Sequence, residues 1–177
     1  MPKLALLTMF ICLCSGAARA TVVEVTPQGF GVHEEVTTAA DLKTVYKALL
    51  KDVGKWWNPA HTYSGDSRNL SIDRKVGGCF CEKLGHGGGV EHARVILLIP
   101  DSQVRMSGAF GPLQSSALVG TLSFKLTPSG TGTKIELTYN VGGYMHGAFT
   151  NIAEGVDEVL ADQLHRLKLY VDTGKPQ

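Results

Sequence analysis

T-N-I-A-E-G-V-D-E-V-L-A-D-Q-L-H-R-L-K-L-Y-V-D-T, Thr150 to Thr173, is the stretch whose reading decides the fold. At about 100° per residue, Ile152, Val156, Val159, Leu160, Leu164, Leu167, Tyr170 and Val171 share a sector about 140° wide. Glu154, Glu158, Asp162, His165 and Asp172 lie opposite, so the stretch is a long amphipathic helix. Thr150 is the expected N-cap, Gly174 the expected stop, and Pro176 bars continuation. Gln163 interrupts the apolar sector, where its carboxamide must either meet a ligand or bond to a group such as Tyr139 or the backbone.

An apolar face of that length needs a partner, and the preceding hairpin supplies one. Leu118, Leu122, Phe124 and Leu126 alternate with polar or smaller residues, a turn follows over 128–132, and Ile135, Leu137, Tyr139 and Val141 alternate in the same way. Further upstream the expected order is a strand over 31–37, a helix over 39–51, and an aromatic stretch over 55–65. Strands over 69–74, 79–83, 90–99 and 103–107 come next, with a glycine turn at 85–89. One helix among so many strands disfavours a parallel βαβ arrangement and favours a two-layer α+β fold with the last helix across an antiparallel sheet.

The chain has 177 residues, 17 Lys and Arg, and 16 Asp and Glu. Residues 1–20 read as a signal peptide, with Lys3, an apolar run over 4–14 and the small-x-small site Ala18-Arg19-Ala20. Residues 21–177 then form a single domain, expected in the periplasm or secreted. Without Lys3 and Arg19 the charge is nearly balanced, which excludes an electrostatic case for nucleic acid or an anionic membrane surface. The early apolar run is too short to span a bilayer. Neither a Walker motif nor a complete dinucleotide fingerprint occurs, and no cofactor is expected.

Particular residues resemble the helix-grip superfamily known as START-like or SRPBCC. They are Trp56-Trp57 after the early helix, Gly77-Gly78 leading to Phe80 and Glu82, the loop G-A-F-G-P-L over 108–113, and V-D-E-V-L-A-D-Q-L-H-R-L in the last helix. The resemblance covers residues 30–172 and is similar to exported bacterial proteins described as polyketide-cyclase-like or ATPase-activator-like. It implies a curved antiparallel sheet wrapped around the C-terminal helix, with an apolar cavity between them. Leu113, Val156, Leu160 and Leu167 would then line it. It does not imply one reaction, because carriers, sensors and enzymes share the fold.

Three chemistries are open. Trp56, Trp57, Tyr63, Phe110, Tyr139 and Tyr144, with Gln163 as a polar contact, would bind a small hydrophobic or amphipathic molecule, or would fill the core. Cys79 and Cys81, with His61 and His92, would bind zinc or copper; alternatively the two cysteines form a disulfide or remain thiols. On a regular strand their Cα atoms lie almost 7 Å apart, at the edge of disulfide reach unless a bulge intervenes. His61, Glu82 or His92 would serve acid–base catalysis, His61 and Glu82 being the leading pair, or Glu82 would be a solvated or Arg-paired surface carboxylate. A non-catalytic carrier or sensor leads, an enzyme follows, and a metal-stabilised module is third. The oligomeric state has no signature.

Overall fold

Alternation builds the sheet. In β8 (Gly132–Tyr144), Thr133, Ile135, Leu137, Tyr139 and Val141 are all buried, while Lys134, Glu136 and Thr138 face outward, as a period of two requires. In β7 (Ala117–Ser129) the inward set is Gly120, Leu122, Phe124 and Leu126. The computed structural model describes residues 21–177, so the expected signal peptide lies outside the described residues.

The other strands are β1 (Thr21–Thr26), β2 (Gly29–Thr38), β3 (Leu70–Ile72), β4 (Cys79–Lys83), β5 (Gly89–Ile99) and β6 (Gln103–Gly108). All eight belong to one antiparallel sheet in the order β1-β2-β8-β7-β6-β5-β4-β3. The arrangement is α+β, a curved sheet with a long C-terminal helix against its inner face. Strand β1 adds one member to the expected set.

Helix α1 (Leu42–Lys51) starts at the first residue of its apolar spacing rather than at the expected position 39. Asp41 caps it by accepting the Thr44 N–H at 2.7 Å, and Val45, Ala48 and Leu49 supply the buried stripe. Helix α2 (Val53–Trp56) is a single turn. The Trp56 indole donates to the carbonyl of Ala48 at 3.1 Å, locking the two helices together.

Helix α3 (Phe149–Thr173) begins with Ala148 at the cap position and has no side-chain cap, so Thr150 does not perform the role expected of it. Phe149 is drawn under the sheet instead, with its ring 6.0 Å from that of Phe30. Gly174 does end the helix, at φ 79°, donating its N–H to the Tyr170 carbonyl at 2.8 Å. A left-handed residue there favours glycine. Among the described residues no helix is long and apolar enough to cross a membrane.

The two halves of α3 are held differently. Its C-terminal half carries hydrogen bonds to the rest of the chain: Gln163 and Asp162 to Asn58, Arg166 Nε to the Trp56 carbonyl, and Asp172 to Thr38 and Ala39. The N-terminal half is seated by apolar side chains such as Phe149 and Ala153.

Candidate functional site

The glycine turn between β4 and β5 sets the site. It pairs Lys83 with Gly89, Glu82 with Val90 and Cys81 with Glu91. Directly opposed residues share a face, so Phe80 and Glu82 point inward and the cysteines outward. A bulge follows, because Phe80 pairs with Ala93 rather than His92. Consequently His92 and Ala93, though adjacent, are both buried on the inner face, as an extra residue in one strand permits. Gly108 makes room for this, since a Cβ there would collide with the His92 carbonyl.

Glu82 is 1% exposed and His92 6%. The Glu82 carboxylate accepts the Ser64 N–H at 2.5 Å and the Tyr63 N–H at 3.1 Å, and its Oε2 lies 3.0 Å from His92 Nε2. Burial pushes the Glu82 carboxyl up, but the hydrogen bonds from Ser64, Tyr63 and His92 together outweigh it and hold the group below its ordinary value. Burial pushes His92 down, only partly offset by Glu82. The pair at neutral pH is therefore carboxylate and neutral imidazole. Because a carboxylate only accepts, the imidazole proton sits on Nε2.

His92 borders a cleft of about 610 Å³ between the inner face of the sheet and the N-terminal half of α3. Aromatic rings connect across its wall. Trp57 meets Phe80 edge-on at 5.5 Å, Phe80 lies 5.8 Å from Phe110, and Phe110 meets Tyr139 edge-on at 5.5 Å. The His92 ring sits among them, 5.3 Å from Phe80 and stacked at 6.2 Å on Phe110. Tyr139 donates its hydroxyl to the Gly108 carbonyl at 3.0 Å, and burial pushes its phenol up to about 12. Ile152, Val156, Val159 and Leu160 of α3 form the facing wall.

Trp57, Tyr63, Phe110, Leu113, Tyr139, Val156 and Leu160 thus border one cleft. Four residues expected there do not. Trp56 is buried behind Trp57, and Leu167 belongs to the core farther along α3. Tyr144 is 64% exposed and packs edge-on against His146. Gln163 is 1% exposed but turned away from the cleft; its Oε1 accepts the Asn58 N–H at 2.7 Å and its Nε2 donates to Asp162. It is a structural bond to the backbone, not a polar contact for a ligand.

The catalytic and metal sets are also rearranged. His61 stands at the exposed rim, whereas Glu82 lies behind His92 and does not border the cleft; the partners of its carboxylate are Tyr63, Ser64 and His92. Glu82 is no surface carboxylate. Cys79 and Cys81 form a disulfide with Cα atoms 5.4 Å apart, closer than a regular strand places them. A disulfide offers no thiolate, and His92 occupies the opposite face, so these residues cannot share an ion.

Among the described residues, His33, Glu35 and Glu136 have the spacing of metal ligands. Two lysines already balance the two carboxylates: Lys134 Nζ lies 3.1 Å from Glu35 and 3.3 Å from Glu136, and Lys125 Nζ 3.8 Å from Glu136.

No protein-family model and no curated protein matches the chain. Solved structures do. The chain is similar to the Aha1 dimer of Colwellia psychrerythraea, with a TM-score of 0.58 and 22% identity, covering 82% of this chain and 98% of that one. It is similar to the Mll3558 protein of Rhizobium loti, with a TM-score of 0.53 and 24% identity, over 75% and 95% of the two chains. CalU16 of Micromonospora echinospora gives a TM-score of 0.50 and 13% identity, over 90% and 94%. These likenesses define the class, a helix-grip α+β fold.

Proposed function

We propose that this chain is a START-like binding protein, a carrier or sensor, for a small hydrophobic or amphipathic molecule held between the sheet and α3. The observation that carries the reading is the 610 Å³ cleft, walled by aromatic and aliphatic side chains with one buried imidazole at its edge. Volumes of roughly 300–1,000 Å³, an apolar lining and few polar groups are the usual character of small-molecule sites. An exported location accompanies this reading, supported by the leader-like residues 1–20 and by the Cys79–Cys81 disulfide, which suits an oxidising compartment.

The test is to bind an apolar dye and then block the cleft. Gly155 lies on α3 at the cleft, and a Cβ there meets nothing within 4 Å. Gly155→Trp should fill the space and abolish dye binding and any co-purified apolar mass in native mass spectrometry, with the fold intact by circular dichroism. Equal binding by the wild type and the folded variant would remove the cleft as the site.

A second reading, proton transfer on the bound molecule, rests on the Glu82–His92 pair. A carboxylate-held imidazole is a competent general base. In that reading His92 meets the substrate and Glu82 orients it. His92→Phe would then abolish turnover of an enolisable substrate while leaving the cleft accessible to dye.

A further inference from the structure

Most polar side chains of the cleft wall already hold a hydrogen bond, and His61 and Asn151, both exposed, stand at its rim. The Tyr139 hydroxyl donates to Gly108 and accepts from the Phe110 N–H. The Tyr63 hydroxyl donates to the Gly111 carbonyl at 3.0 Å, and Thr62 Oγ1 donates to the Pro59 carbonyl at 2.7 Å. His92 differs. Its Nε2 is committed to Glu82, and among the described residues Nδ1 has no hydrogen-bond partner. A neutral imidazole carries one proton, so with Nε2–H fixed, Nδ1 presents a bare lone pair.

We propose that the cleft selects a ring-bearing apolar molecule with one acidic hydroxyl, phenolic or enolic, and that His92 Nδ1 accepts the hydrogen bond from that hydroxyl. This rests on the binding reading above and names its ligand class. A lone pair at the cleft wall is satisfied by a donor, whereas an ether or carbonyl ligand would cover it and leave it unpaired, and a polar atom shut off from water without a partner is costly. A carboxylate ligand is disfavoured twice, since it brings no donor and adds negative charge close to that of Glu82. A ring is selected by the aromatic surroundings. Phe80, Phe110 and Tyr63 stand 5.3, 6.2 and 6.0 Å from the imidazole, at distances where flat partners stack or meet edge-on. Glu82 is the positioning residue: its charge and backbone donors keep the proton on Nε2.

The experiment titrates the full chain with β-naphthol and with its methyl ether, which has the same rings and no donor, by calorimetry. In the wild type β-naphthol should bind about tenfold more tightly, and its addition should move the ring-nitrogen NMR signal of Nδ1 rather than Nε2. In His92→Phe the ratio of the two affinities should fall to about one. Should that variant not fold, the wild-type ratio and the nitrogen signals still decide. Equal affinities in the wild type, or a perturbation confined to Nε2, overturn the hydroxyl anchor and leave the cleft as a site for apolar molecules. Binding of neither compound overturns the cleft reading itself.

Discussion

Gln163, midway along α3, accepts a 2.7 Å hydrogen bond from the backbone N–H of Asn58, 105 residues earlier in the chain. Asn58 in turn donates its side-chain amide to Asp162 at 2.8 Å and accepts the Ala60 N–H, starting the short 3-10 turn at Pro59–His61. The helix thereby sets where the rim of the cleft begins. Replacing Gln163 with Leu leaves that backbone N–H without its partner, and the expected loss of stability is about 1–3 kcal/mol. Urea unfolding checks it; an equally stable Gln163→Leu would show that the bond contributes nothing.

Acid should weaken the fold in two stages. The folded His92 value lies below the ordinary 6.5, so the unfolded chain takes up that proton first; the contribution is complete above pH 6.5 and is lost as pH falls toward the folded value. The folded Glu82 value lies below the ordinary 4.5, so its contribution is present above pH 4.5 and is lost as pH drops through the folded value. Thermal unfolding across this range should show His92→Phe lacking the upper stage. An unaltered acid profile in that variant would contradict the buried neutral imidazole.

Gly120 and Tyr139 fit one another. A Cβ on Gly120 would collide with the Tyr139 ring, whose hydroxyl is fixed to Gly108. Gly120→Ala should cost about 1–3 kcal/mol by overpacking, and restoring space with Tyr139→Leu in the same chain should recover part of it. Calorimetric melting of the single and double variants measures the coupling; additive losses would mean the two positions do not interact.

The disulfide between Cys79 and Cys81 closes a very short loop, so its chain-entropy effect is small. Cys79→Ala with Cys81→Ala should lower stability by about 1–2 kcal/mol. Thiol titration of the unfolded chain without residues 1–20, which carry Cys12 and Cys14, should reveal two thiols only after reductant. Thiols titrating without reductant would exclude the bridge.

Regular spacing made much of the architecture legible. The stripe of α3 and the alternation of β7 and β8 are properties of one segment at a time, and both survive in the structure. What escaped depends on two segments meeting. The face of His92 follows from its pairing across the glycine turn and from the bulge opposite Phe80, neither of which a single strand pattern reveals. Glu82 looks like any surface carboxylate until the Tyr63 and Ser64 amides, which are backbone groups with no side-chain signature, close on it. Gln163 stands out as a polar residue on an apolar face, and a backbone bond is one of its two readings, but which main-chain amide it meets has no signature in the sequence. Local competition moved the start of α3: burying Phe149 beside Phe30 begins the helix before Thr150 can cap it.

The unequal seating of α3 makes the molecule adjustable from one side. Hydrogen bonds from Asp162, Gln163, Arg166 and Asp172 fix the direction of the distal half. The half that walls the cleft is seated largely by Phe149, Ala153 and Leu160, with Asp157 buried among them, and apolar contacts are non-directional and tolerate sliding. On the binding reading proposed above, guests of different girth would be admitted by swinging the near end of the helix about its far end, without rebuilding the sheet. Residence time would be governed by that swing. Amides over 149–156 should accordingly exchange with solvent faster than those over 160–170, and slow most when the cleft is filled.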